Sequence, residues 1–184
     1  MDKYVGHQHI SGTWESAIAR SRGIAWLLIV LADAGLLAWG AMAALVPERL
    51  PGPGSTPILT AGYEGFTGGS WQQLLAVSPK TAEYTTLLFR IYGVYGVAFS
   101  VLAIAIAVHS FRRGERWTWW ALLVGNTIVY PGAMAYDRIV GAIGPFELSE
   151  YLGLAAIYVA LAITFPSRAG HSHRQTREQA VFTT

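Results

Sequence analysis

Four charged side chains interrupt stretches of sequence that are otherwise apolar, and they are the first candidates for chemistry. Asp33 lies nine residues into one such stretch, while Arg90, Asp137 and Glu150 lie near the ends of three others. An ionisable group inside a membrane span costs at least about 2.5–3.5 kcal/mol at the bilayer centre unless it is paired or hydrated. Carboxyl and guanidinium groups in such places therefore indicate either an ion-pair network or a polar site.

Arg90, Asp137 and Glu150 fall at a similar depth when residues are counted from the ends of their stretches. We therefore predict that these three side chains face one another. One interpretation is an interhelical ion-pair network that fixes helix register, and the other is a polar pocket that binds a ligand or moves a proton. The candidate ligand-binding cluster comprises Asp33, Arg90, Asp137, Glu150, Tyr92 and Tyr136, and further hydrogen bonds are available from Tyr95, Asn126, Tyr130 and Tyr151.

Asp33 is the deepest of these groups, about 14 Å into its stretch if that stretch is helical. The sequence places no basic residue at the same level. Because burial disfavours the charged form of a carboxyl, one interpretation is a neutral acid that is hydrogen-bonded to a neighbouring helix. The other is a proton-coupled or cation-binding residue, and both interpretations stay open.

The composition argues against several functional classes. The chain has 184 residues, of which 13% are charged and 53% hydrophobic, whereas about 25% of residues are charged in a typical soluble domain. There is no cysteine, which excludes disulfides, thiolate metal sites and iron–sulfur clusters. A net charge of +2 without a basic stripe predicts no nucleic-acid partner. The pairs His7 with His9 and His171 with His173 are weak metal signals, so we predict no metal, no cofactor and no catalytic residue.

Four apolar stretches are long enough to carry these side chains across a bilayer, whose hydrocarbon core takes about 20 helical residues. The first is too long for a cleaved signal peptide, so we interpret it as a retained anchor. Gly93, Gly96 and Ser100 mark a face for close helix packing. The predicted fold is all-α, an integral membrane four-helix bundle with spans at about 24–46, 84–109, 117–136 and 148–165.

The distribution of lysine and arginine predicts the orientation of these spans, because such residues favour the cytoplasmic side. Nine lie on the side of the two termini and three on the other side. We therefore predict a multi-pass plasma-membrane protein with both termini in the cytoplasm. Its parts are an N-tail at 1–23, a transmembrane domain at 24–166 and a disordered basic C-tail at 167–184.

The long connection at 47–78 is predicted to lie outside the cytoplasm. It opens with the turn-forming run Pro51 to Gly54, and residues 70–77 have the pattern of a short helix whose apolar side chains share one face. We predict an interfacial helix that lies on the membrane or roofs the bundle. A lid over a ligand site is the alternative.

Several short motifs resemble small four-span bacterial membrane proteins of the DoxX-like type, which are largely uncharacterised. They lie between Phe66 and Leu123, about a third of the chain. The resemblance implies a four-helix bundle in a bacterial plasma membrane and no particular activity. The motifs are Thr67-Gly68-Gly69-Ser70-Trp71, Ser78-Pro79, Phe89-Arg90-Ile91-Tyr92-Gly93 and Arg112-Arg113-Gly114-Glu115-Arg116-Trp117-Thr118-Trp119-Trp120.

The leading functional hypothesis is non-enzymatic: a structural or accessory bundle, or one that binds a lipid-like ligand. The alternatives are a small proton-coupled transporter that uses Asp33, and a membrane enzyme that acts on a lipid in the outer half of the bundle. The expected partners are the lipid bilayer and either a second copy of the chain or another membrane protein.

Overall fold

The apolar stretches of the sequence form long helices. The computed structural model describes residues 8–141 and 144–165, and within these ranges the protein is all-helical, with no strand and one isolated β-bridge between Pro51 and Pro57. The prediction of an all-α fold is confirmed. The helices are α1 (Gln8–Leu45), α2 (Ile58–Thr67), α3 (Trp71–Val77), α4 (Pro79–Ile106), α5 (Arg116–Val140) and α6 (Pro145–Ile163).

Each of the four predicted stretches overlaps one of the four long helices, but the helix ends differ from the predicted spans. Helix α1 already begins at Gln8, inside the segment predicted as a tail. Helix α4 begins at Pro79, a residue that suits a first turn because no helical hydrogen bond needs its missing N–H. It continues as a π-helical turn over Ala107–Phe111. The predicted tail at 167–184 lies outside the described residues.

Two of the helices have the length and composition to cross a membrane. They are Gly23–Leu45, within α1, and Pro79–Phe111, and only 22% of the most apolar window of each is buried inside the protein. Residues 148–163 form a shorter apolar helix. Because a core helix of a soluble domain would be mostly buried, the exposure of these apolar surfaces requires an explanation.

Helix α1 holds the bundle together. It packs along α4 on one side and against α6 on the other, while α5 packs against α6, and α4 and α5 contact each other only slightly. One buried cluster, which includes Ile29, Leu122 and Leu161, joins α1, α5 and α6. The four long helices therefore form a ring in which three of the four contacts between neighbours are well packed. The contact between α4 and α5 is the poorly packed edge of this ring.

The contact between α1 and α4 depends on two glycines. A Cβ atom on Gly93 would lie 2.5 Å from the backbone nitrogen of Ala44 and 2.7 Å from the carbonyl oxygen of Gly40. A Cβ atom on Gly40 would lie 2.9 Å from the carbonyl oxygen of Gly93. Because the neighbouring atoms belong to backbone, no side-chain rotation can make room. Small residues thus bring the two helices into direct backbone contact.

Helices α2 and α3 cover one end of the bundle. The backbone of Gly65 on α2 lies so close to the carbonyl of Val140 on α5 that a Cβ atom would not fit. The Glu64 carboxylate accepts a hydrogen bond of 2.9 Å from the Trp71 backbone N–H, which ties α2 to α3. The short helix predicted at 70–77 is present as α3, whereas α2 was not predicted.

We predict that Gly93→Ala destabilises the bundle by about 1–3 kcal/mol, the usual cost of overpacking a close contact. Thermal unfolding of the purified protein, followed by circular dichroism, measures the effect. Gly96→Ala is the matched control, because a Cβ atom there would lie 3.7 Å from the Gly40 Cα, an ordinary contact distance. Equal melting temperatures for both variants would contradict a glycine-dependent contact.

Candidate functional site

A cavity of about 350 Å³ lies between α4 and α5, at the edge where the ring of helices is poorly packed. Helices α1 and α6 contribute to its wall. Its described lining is mostly apolar and includes one carboxyl, that of Glu150. The aromatic side chains in the lining are Trp39, Tyr92, Tyr95, Phe99, Tyr130 and Tyr136.

Two contacts between α4 and α5 limit the cavity along the bundle. At one level the Phe99 ring lies against Gly125, where a Cβ atom would come within 3.0 Å of it. At the other level the rings of Tyr92 and Tyr136 stack, with centroids 6.0 Å apart and an angle of 30° between their planes. On α4 the two levels are seven residues apart, about 10 Å along the helix. The helices are therefore held apart between two points of contact.

The side of the cavity between α4 and α5 is open. Tyr95 on α4 is 70% exposed and Ile128 on α5 is 67% exposed, and both residues belong to the lining. Gly132, also in the lining, has no atom within 4 Å of the place where a Cβ atom would stand. A ligand can therefore reach the cavity sideways, between the helices.

Trp39 of α1 forms part of the cavity wall. Its ring meets Tyr92 edge-on at 5.5 Å and Phe89 at 6.2 Å, and these contacts fix its orientation. Its Nε1 is buried and has no hydrogen-bond partner among the described residues. Trp39 therefore contributes an aromatic surface of fixed orientation to the wall.

Tyr130 forms another part of the wall and joins three helices. Its hydroxyl donates a hydrogen bond of 3.1 Å to the carbonyl oxygen of Ala32 on α1. Its ring lies over Gly153 of α6, where a Cβ atom would come within 3.1 Å of the ring. The position of this side chain is thus set by α1, α5 and α6 together.

Asp33 is fully buried and does not belong to the cavity lining. Neither carboxyl oxygen has a hydrogen-bond partner among the described residues. Asp33 lies close enough to Tyr130 for the two side chains to interact electrostatically. The deepest predicted site residue is therefore beside the cavity wall rather than in the cavity.

The structure separates Arg90 from the other members of the predicted cluster. Its guanidinium forms an exposed salt bridge of 3.1 Å with Glu48, which lies just beyond the end of α1. The other members are close together: Glu150, Tyr92 and Tyr136 line the cavity. Asp137 is 8% exposed and interacts electrostatically with both tyrosines. The result is an acidic and aromatic group of side chains without the predicted arginine.

Sequence reasoning missed Trp39 and Phe99 as site residues. A signal for Phe99 was present, since Tyr92, Tyr95 and Phe99 recur at helical spacing and so share one face of α4. Trp39 gave no such signal, because apolar residues surround it on all sides of α1. The small residues that leave room for the cavity gave no signal either, because their role depends on which helices are neighbours.

Comparisons with protein-family models, with curated proteins and with solved structures found no match. Within residues 8–141 and 144–165 no three histidine, aspartate or glutamate side chains come together in a way that could hold a metal ion. The site is therefore interpreted from its own geometry.

We predict that Asp33→Asn changes the free energy of unfolding by less than about 1 kcal/mol. The substitution keeps the size of the side chain and breaks no hydrogen bond between described residues. Thermal unfolding in parallel with Tyr130→Phe gives the comparison, because the latter removes the bond to Ala32 and should cost about 1 kcal/mol. A loss of about 3–5 kcal/mol in Asp33→Asn would instead indicate a broken buried charge pair.

Proposed function

We propose that the protein is a four-span membrane protein of the bacterial plasma membrane that binds a lipid-like ligand between α4 and α5. The single observation that carries this proposal is the laterally open, aromatic cavity. A purely structural bundle would gain from closing this edge, because tight packing is the main source of helix association within a membrane.

Exposed apolar side chains on all four long helices support a location in the bilayer. Leu31 on α1, Leu102 on α4, Ile128 on α5 and Leu152 on α6 are each more than half exposed. Soluble monomers rarely expose contiguous apolar patches larger than a few hundred Å². A lipid environment makes such an exposed apolar surface favourable.

The lengths of α5 and α6 also suit a bilayer. Their 25 and 19 residues correspond to about 38 Å and 28 Å, against a hydrocarbon core of about 30 Å. Helices pair their backbone N–H and C=O groups along their own length, as a lipid environment requires, and Pro131 interrupts this pattern once within α5. Four spans therefore remain our proposal, although within the described ranges only two helices have the length and composition of a typical span.

Aromatic and basic side chains at one end of the bundle support the proposed orientation. The Arg112 guanidinium lies 5.4 Å from the centroid of the Trp26 ring, and Trp119 packs edge-on against Trp120. Such residues anchor a protein at the membrane surface, and basic residues favour the cytoplasmic side. At the opposite end α3 exposes Leu75 and Val77, which suits a helix that lies at the outer interface.

The size and lining of the cavity support a ligand with a large apolar part. Ligand pockets usually have about 300–1,000 Å³ and are lined mainly by hydrophobic and aromatic side chains with a few polar groups. Glu150 and the tyrosine side chains supply the polar groups here. An opening on the lipid-facing side lets such a ligand enter from the bilayer.

Cysteine labelling tests the proposed topology in a chain that has no cysteine of its own. We predict that a membrane-impermeant maleimide labels Ser55→Cys in intact cells and labels Ser172→Cys only after the cells are broken. Labelling of both variants in intact cells would contradict the placement of the C-terminus in the cytoplasm.

Photolabelling with a neutral diazirine monoacylglycerol tests the ligand site in the purified protein. We predict labelled peptides from 92–99 and 128–136, and labelling reduced at least fivefold in Gly132→Trp, whose side chain occupies the cavity. Gly35→Trp is the matched control, because Gly35 is another helical glycine with open space around it but lies outside the lining. Equal labelling of both variants would place the lipid elsewhere on the surface.

A further inference from the structure

The cavity between α4 and α5 is acidic as well as aromatic. Its described lining combines six aromatic rings with the Glu150 carboxyl, and no residue in it is basic. Aromatic residues alone would be ordinary for an apolar pocket. Their combination with a carboxyl on one wall is more specific, because the faces of aromatic rings and carboxylates both attract positive charge.

Two more carboxyl groups act on the tyrosines of the wall. Asp137 and Glu150 both interact electrostatically with Tyr92, and Asp33 and Glu150 with Tyr130. Carboxyl groups on α5 and α6 thus contribute to the electrostatic potential of the cavity. This arrangement makes the cavity unfavourable for an anion.

Four basic residues lie at this end of the bundle: Arg49, Lys80, Arg90 and Arg138. Arg90 forms its salt bridge with Glu48, and Arg138 donates a hydrogen bond of 2.7 Å to the Tyr151 hydroxyl. Lys80 pairs with Glu83 at 2.7 Å on the exposed start of α4. None of the four belongs to the described lining, which therefore carries no cation.

We propose that the ligand of this cavity is a lipophilic organic cation, an ammonium or comparable centre carried on an apolar body. This inference rests on the proposed function and names its ligand class. A cation within about 6 Å of an aromatic ring is attracted by the negative face of the ring, and more strongly where water is excluded. Glu150 adds a direct charge interaction, and the apolar body fills the space between α4 and α5.

The open side of the cavity fits two sources of such a cation. One is a lipid whose head group carries an ammonium, and the other is a free amphiphilic cation that partitions into the bilayer. The shared chemistry is a positive centre beside apolar groups, and both sources reach the cavity from the same side.

Competition against the photolabel tests the charge preference in the full-length protein. Tetraphenylphosphonium and tetraphenylborate have the same shape and opposite charge, which makes them a matched pair. We expect the cation to protect the 92–99 and 128–136 peptides at a concentration at least tenfold below that of the anion. In Glu150→Gln this preference should fall about tenfold, whereas Glu83→Gln, which removes an exposed carboxylate outside the lining, should keep it.

The outcomes separate the ligand class from the proposed function. Equal protection by the two ions, with peptides 92–99 and 128–136 still labelled, would overturn the cation preference and leave lipid-like binding in place. Absence of labelling at those peptides, together with absence of tetraphenylphosphonium binding, would overturn both. The comparison in the unaltered protein decides the preference even if Glu150→Gln fails to fold.

Two further competitors distinguish the sources of the cation. Protection by phosphatidylcholine but not by phosphatidylglycerol in lipid nanodiscs would assign a lipid head group. Protection by tetraphenylphosphonium but by neither lipid would assign a free amphiphile. Either result supports a cationic ligand.

Discussion

The direct backbone contact between α1 and α4 at Gly40 and Gly93 is the constraint on which the rest of the bundle depends. It brings these two long helices so close that no side chain fits between them at this level. Helix α4 is thereby held against α1 and is not available to pack along α5. The face of α4 that carries Tyr92, Tyr95 and Phe99 contacts α5 through its aromatic rings.

The cavity follows from that arrangement. A stack of Tyr92 on Tyr136 and a contact of Phe99 with Gly125 hold α4 and α5 at a fixed distance, and small residues between these levels leave the space unfilled. The two remaining walls come from Trp39 on α1 and from Tyr130, whose hydroxyl is bound to α1. The same aromatic residues that space the helices therefore also form the surface available to a ligand.

The sequence was sufficient to predict the four long helices and α3, but not α2 or the pairing of the helices. Long apolar stretches predict helices because of their length, and the isolated Asp33 and Glu150 are conspicuous within them. The prediction for Arg90 relied on its depth along α4, whereas its direction around the helix axis decides its partner, which is Glu48. Trp39 and the two glycines of the close contact acquire their roles only when α1 lies against α4. Such roles depend on which helices are neighbours, and no local pattern encodes that.

We propose that the cavity opens towards lipid between α4 and α5. A nitroxide at Ile128→Cys, at the edge of this opening, tests this in reconstituted bilayers. The measured quantity is its collision rate with oxygen, which concentrates in lipid, and with a water-soluble nickel complex. A nitroxide at Ser55→Cys in the exposed 51–57 connection provides the aqueous reference. If the opening faces lipid, we expect frequent oxygen collisions and few nickel collisions at position 128. Nickel collisions as frequent as those at position 55 would contradict it.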